Sequence, residues 1–94
     1  MRFEWDPEKA RRNLARHGIS FALAQRVWDD PLHAIASDRT EDREERWLAV
    51  GLVGPSLVLV VAHVYRDRNG GVVRIVNARK ATSHERRRYE HEAF

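Results

Sequence analysis

The chain is 94 residues long, 43% hydrophobic and 33% charged, with a formal net charge of +3, which suits one modest core and one domain over residues 1–94. It has no cysteine, so disulfides and thiolate metal sites are excluded. The opening MRFEWDPEKARR lacks the apolar stretch of a signal peptide, and the longest apolar run, Leu57 to Ala62, is too short to cross a bilayer; a soluble, cytoplasmic protein is the expectation.

In chain order, Phe3-Glu4-Trp5 alternates apolar and polar and reads as a short edge strand. Asp6-Pro7-Glu8 is a helix start, with Asp6 as N-cap, Pro7 at the first helical position and Glu8 against the positive end of the dipole. The helix is expected to run to about His17, where Gly18 ends it in a left-handed cap. Its apolar side is thin, Ala10 and Leu14, so a narrow stripe packs on a sheet while Lys9, Arg11, Arg12 and Arg16 face outward. Ser20 caps a second helix, roughly Phe21 to Asp29, with Phe21, Ala24, Val27 and Trp28 at three- and four-residue intervals. Asp29-Asp30-Pro31 ends it. His33 to Ser37 is a short strand, Asp38 to Glu45 an exposed charged loop or hairpin turn, and Arg46 to Val53 a strand closed by Gly54-Pro55.

The strongest local signal follows. Leu57 to Val64 and Val72 to Val76 are apolar runs separated by Asn69-Gly70-Gly71, a β-hairpin signature. A two-residue Asn69-Gly70 loop pairs Tyr65 with Arg74 and His63 with Val76. His63, Tyr65 and Arg74 then share one face with Leu57, Leu59 and Val61, and Val58, Val60, Val64, Val73 and Ile75 form the other. An odd loop or a bulge would undo this sorting. Beyond Lys80, Thr82 and Glu85 have capping-box spacing. They open a last helix, about Ser83 to Ala93, anchored by Tyr89 and Phe94. The order β-α-α-β-β-β-β-α, with helices at both ends, implies an α+β fold with an antiparallel meander.

Charge is uneven. Arg74 to Phe94 holds six Lys or Arg against three Glu, whereas Asp38 to Glu45 holds five acids against two Arg. The basic end makes a polyanion a candidate partner; a solvated helix face is the plain alternative.

FEWDPEKARRNLARHGISF at Phe3 to Phe21, Trp28-Asp29-Asp30-Pro31, Glu45-Arg46-Trp47, Tyr65-Arg66 and the closing RIVNARKATSHERRRYE together resemble the BrnT family, toxins of bacterial type II toxin–antitoxin systems. The likeness runs from Phe3 to Tyr89. Its W-D-P-x-K-A-x-x-N-x-x-x-H-G opening and R-I-x-x-A-R-x-A-T-x-x-E-R-x-x-Y ending are the specific parts. The resemblance implies a RelE-like fold and a ribonuclease activity that blocks translation. It also implies neutralisation by a small DNA-binding antitoxin of the BrnA type, through which alone the complex meets operator DNA.

Metal-independent RNA cleavage needs a base for the 2′-OH, an acid for the leaving 5′-oxygen and cations for the phosphorane. His63, Tyr65, Arg74, Arg79 and Lys80 supply these types within one hairpin and its exit, and are the candidate catalytic set. Arg66, Arg86 and Tyr89 are candidate RNA contacts. Each has a structural alternative: a packed strand histidine for His63, a cross-strand cation–π pair for Tyr65 and Arg74, a solvated face for Arg86. Glu85 reads as a cap rather than a base, and Trp5, Trp28 and Trp47 as core anchors. The five histidines show no metal-ligand spacing, and there is no glycine-rich phosphate loop or nucleophile elbow, so neither metal nor cofactor is expected. Two rival readings stand beside the endoribonuclease: a non-catalytic nucleic-acid-binding module, and a degenerate toxin kept as an antitoxin-binding co-repressor.

Overall fold

The computed structural model describes residues 1–94. Its elements are β1 (Arg2–Glu4), α1 (Pro7–His17), α2 (Phe21–Ala24) running into a 3-10 helix (Gln25–Asp29), β2 (Ala34–Glu41), β3 (Glu44–Val53), β4 (Leu57–Tyr65), β5 (Val72–Lys80) and α3 (Ser83–Glu90). The strands form one sheet in the order β1-β5-β4-β3-β2. β1 lies parallel to β5, and the other neighbours are antiparallel. No helix is long and apolar enough to cross a membrane.

Local chemistry sets the helix ends. Asp6 accepts from the Glu8 N–H at 2.9 Å, and Gly18 takes φ 71° while its N–H meets Leu14 O. Ser20 Oγ caps α2 through the Leu23 N–H at 3.0 Å. The stripe of α1 departs from expectation, because Leu14 is 50% exposed and Asn13 is buried instead. Asn13 Nδ2 donates to Ile19 O and Ala78 O, and its Oδ1 accepts from the Ala78 N–H. The amide therefore stands in for a strand partner along the free edge of β5, which an apolar side chain could not do. The expected second helix tightens into a 3-10 segment after Ala24, bringing Val27 onto β3 at Gly51. A Cβ on residue 51 would lie 2.9 Å from Val27 Cγ1, so this packing depends on glycine.

The charged stretch Asp38 to Glu45, expected as an exposed loop or hairpin turn, is a hairpin whose arms are mostly strand. β2 and β3 pair out to Glu41 and Glu44, leaving Asp42 and Arg43 as a two-residue turn at φ 52° and 65°, the positive values a primed turn requires. Ion pairs stabilise its arms: Glu41 meets Arg46 across the strands at 3.0 Å and Arg39 along β2 at 3.3 Å.

The β4–β5 hairpin corrects the face sorting. Its loop is five residues, Asp67 to Gly71, closed by the Arg66 N–H on Val72 O. Asp67 Oδ1 gathers the N–H groups of Gly71 and Val72, a turn chemistry that outcompetes the Asn69-Gly70 turn. Tyr65 consequently faces Val73, His63 faces Ile75, and Arg74 faces Val64. A bulge then makes Val76 the extra residue, and beyond it Val60 faces Arg79 and Leu59 faces Lys80.

The sheet buries both faces. Leu59, Val61, Ala49, Ile75 and Ala78 pack under α1, α2 and the 3-10 helix with Phe21, Ala24 and Val27, and Phe3, Trp5 and Trp28 close this core. On the other face Val50, Val58 and Val60 pack with Leu48, Leu52, Ala81, Tyr89 and Phe94 under α3. α3 itself has no fully buried residue. It covers one end of its face and leaves the other end open.

Candidate functional site

The open end beside α3 is a groove of about 440 Å3. Its floor is Leu48, Ala62 and Val76, and its walls carry Arg16, His17, Arg39, Arg46 and Arg79 with one carboxylate, Asp38. Two irregularities frame it. The bulge at Val76 re-aims the end of β5, and the register shift between Ser37 and Arg39 leaves Asp38 unpaired at the opposite wall. Bulges bend strands and redirect side chains, so cations from β2, β3 and β5 converge where a regular ladder would separate them.

Arg79 is held by Glu85 through two parallel bonds, Nη1 to Oε1 at 2.7 Å and Nη2 to Oε2 at 2.9 Å. Glu85 also closes the capping box of α3 by accepting from the Thr82 N–H at 2.9 Å. The Arg79 guanidinium and these donors draw the Glu85 carboxyl down to about 2, and Glu85 in turn raises Arg79. Arg46 is half-buried; its Nη1 meets Glu41, while its Nε is buried without a partner.

α3 is fixed by polar ties. Arg86 Nη1 donates to Ser56 O at 2.7 Å. The Tyr89 hydroxyl donates to Asp30 Oδ2, which also accepts from the Leu52 N–H, while Asp30 Oδ1 accepts from the Leu32 N–H. Burial would raise the Asp30 carboxyl, but these donors hold it below its ordinary value. Burial and then the Asp30 contact push Tyr89 up to about 12.

The residues expected to act together are divided. His63 is 0% exposed on the face covered by α1 and the 3-10 helix, edge-on to Trp28 with centroids 4.9 Å apart. Its Nδ1 donates to Val61 O at 3.1 Å, and its Nε2 accepts from the Tyr65 hydroxyl at 3.3 Å. Burial lowers the His63 imidazole and raises the Tyr65 phenol. Tyr65 is half-buried beside Trp47. Arg74 lies on the opposite face, with Nη1 on Glu4 at 2.8 Å. Arg66 shares Glu4 at 3.9 Å and reaches Glu44 at 3.7 Å, so the supposed Tyr65–Arg74 pair is replaced by an Arg66–Glu4–Arg74 cluster. Lys80 is exposed and, by strand alternation, points away from Arg79. Arg86 and Tyr89 serve as the ties of α3. Of the expected set, only Arg79 lines the groove.

The groove residues that sequence reasoning missed are His17, Arg16, Arg39, Arg46 and Asp38. One signal was available: Lys9, Asn13 and His17 of the opening motif recur every four residues and so share a helix face. Arg39 and Arg46 carried no such mark: Arg39 fell in the stretch expected as a loop or hairpin turn, and Arg46 stood only as the first residue of the expected strand Arg46 to Val53.

A five-stranded mixed sheet, three helical segments and a guanidinium-lined groove beside the last helix define a small α+β protein with a cationic cleft. The family model for the ribonuclease toxin, BrnT, of type II toxin–antitoxin systems matches residues 5–85. The chain belongs to that family. Such a toxin acts on RNA and has an antitoxin partner. Among solved structures, the fold is similar to the 1.1 Å crystal structure of the Brucella abortus ribonuclease toxin BrnT, with a TM-score of 0.62 and 20% identity over 88% of this chain and 99% of that one. No curated protein sequence matches the chain.

Proposed function

We propose that the chain is a metal-independent endoribonuclease toxin of RelE-like type that cuts RNA in the groove beside α3, thereby inhibits translation in the cytoplasm, and is neutralised by a BrnA-type antitoxin. The observation that carries this reading is the convergence of Arg16, Arg39, Arg46 and Arg79 with His17 on one cleft, from four separate elements. A phosphodiester there meets planar donors suited to its oxygens, and an imidazole, the side chain best able to exchange a proton near neutral pH. The 2′-oxygen attacks phosphorus as its proton leaves to a base, the bond to the 5′-oxygen breaks, and that oxygen takes a proton. The products are a 2′,3′-cyclic phosphate and a 5′-hydroxyl. His17 is the residue we assign to proton transfer, and the arginines to the charge that grows on the phosphorane. Glu85, spent on Arg79 and on the cap, is a poor base.

Four of the candidate residues take other roles with this geometry. His63 and Tyr65 become packing partners of the core, and Arg74 and Arg66 an edge ion cluster; Arg79 keeps its place at the phosphate. The burial of His63 and the engagement of Arg79 by Glu85 favour one rival, a non-catalytic nucleic-acid-binding or co-repressor module. The two separate on incubation of purified protein with RNA in EDTA. A toxin cuts, and His17→Asn and Arg79→Ala do not. A rival module binds with a steep salt dependence and leaves the RNA intact. Cutting that disappears with chelator would sink the metal-independent mechanism.

A further inference from the structure

A second concave surface, about 300 Å3, lies on the other side of β5. Lys9, Arg12, Arg16 and His17 of α1 line it against Val76 and Asn77. Arg16, His17, Val76 and Asn77 also line the groove, so the two concavities are continuous around the edge of β5. The edge is open there for a structural reason. β1 pairs only with Val72 to Arg74, and Asn13 covers only Ala78. Between them the bulged residue Val76 and its neighbour Asn77 have no strand alongside.

Several cations elsewhere in the chain are held by carboxylates. Arg11 meets Glu8, Arg86 meets Glu90, and Arg39 and Arg46 share Glu41. Lys9, Arg12 and Arg16 are exposed, stand at three- and four-residue spacing on one line of α1, and enter no ion pair. Like charges at that spacing repel, and Lys9 sits in the first turn, where the helix dipole opposes a cation. Folding gains nothing from the line. An anionic ligand would.

We infer that α1 forms a phosphate-binding track for single-stranded RNA, continuing the groove around the β5 edge and seating phosphodiesters beyond the scissile one. The inference rests on the reading of the groove as the RNA-cutting site. Lys9 to Arg16 spans about 10 Å of helix, so the track favours longer RNA over a fragment that only fills the groove.

The test uses fluorescent, fully 2′-O-methylated oligonucleotides, which cannot be cut, of about four and about sixteen nucleotides, the range of single-strand site sizes. Binding is followed by anisotropy against salt for the wild type and for Lys9→Gln/Arg12→Gln, two exposed side chains whose loss leaves the helix caps intact; a melting curve checks the fold. Each phosphate contact contributes a slope of about 0.7 for a single strand. The double variant is therefore expected to lose about 1.4 from the salt slope for the long oligonucleotide, with weaker binding. It should bind the short one, and cut short RNA, as the wild type does. Wild-type affinity and slope for the long oligonucleotide would overturn the track and leave the groove standing. If the wild type neither cuts RNA nor binds either length, the groove reading fails and the track with it.

Discussion

Arg79 and Glu85 face each other with two parallel bonds, and this pair joins the end of β5 to the first turn of α3 at the rim of the groove. Glu85 spends its oxygens on both the guanidinium and the Thr82 N–H. The cap of α3 and the orientation of Arg79 are thus one arrangement. A helix that buries no residue completely depends on such ties.

The pair gives stability an acid limb. The Glu85 carboxyl moves from 4.5 down to about 2, first through the Arg79 bond. A depressed carboxylate contributes above its unfolded value and loses that contribution as pH falls from about 4.5 towards 2. Glu85→Gln should lower stability near neutral pH by roughly 1 kcal/mol, a partly exposed pair being screened, and flatten the loss below pH 4.5. Denaturant midpoints across that range measure both. Parallel curves for the two proteins would exclude the role given to Glu85.

His63 predicts a second, separate slope. Burial lowers its imidazole from 6.5, so the unfolded chain binds the proton more readily, and stability falls as pH drops below 6.5. His63→Ala leaves a cavity against Trp28 and the Tyr65 hydroxyl unpartnered, at about 3 kcal/mol. Any loss of RNA cutting in that variant should follow the fraction unfolded. Full folding with no cutting would return His63 to the chemistry.

Much of this was legible in the residues. Asp6-Pro7, Gly18, Ser20 and Thr82-x-x-Glu85 act through neighbours in sequence, and each cap forms as its chemistry demands. The site was less legible because it depends on parity. One carboxylate, Asp67, draws the hairpin into a five-residue loop, and one extra residue, Val76, restores the pairing farther on. Between these two slips His63 and Tyr65 part from Arg74, and periodicity alone cannot reveal either. Asn13 and Asp30 escaped for another reason. Their partners, Ala78, Leu52 and Tyr89, are distant in sequence.

Tyr89 and Asp30 yield a prediction about motion. Tyr89→Phe keeps the ring on Val50, Val58 and Val60 and leaves Asp30 with its two backbone donors. Losing one bond to a charged acceptor costs about 1.5 kcal/mol, felt as opening of α3 more than of the sheet. Amide exchange in Ser83–Glu90 should quicken about tenfold while β4 is unchanged. At high pH the sign is that of a raised group: the tie is intact below 10 and is lost as Tyr89 ionises towards about 12. Unaltered exchange in α3 would show that the hydroxyl is not what holds it.

Arg46 separates stability from function most cleanly. It stands opposite Arg39 across the β2–β3 hairpin, and the two share one carboxylate, Glu41. Like charges directly opposed weaken a sheet, and the buried, unpartnered Nε adds a desolvation cost. The fold would accept an uncharged side chain of similar length here. Arg46→Met keeps the aliphatic stem over the sheet and removes both the repulsion and the unpartnered donor, so stability should stay within about 1 kcal/mol of the wild type or rise. RNA cutting should nevertheless fall by about a hundredfold, the usual effect of removing one donor from a developing oxyanion. Loss of stability with full activity would mean that Arg46 serves the hairpin and that the phosphate sits elsewhere. Loss of activity in a protein at least as stable as the wild type would mean that the strain at Arg46 is kept for the substrate.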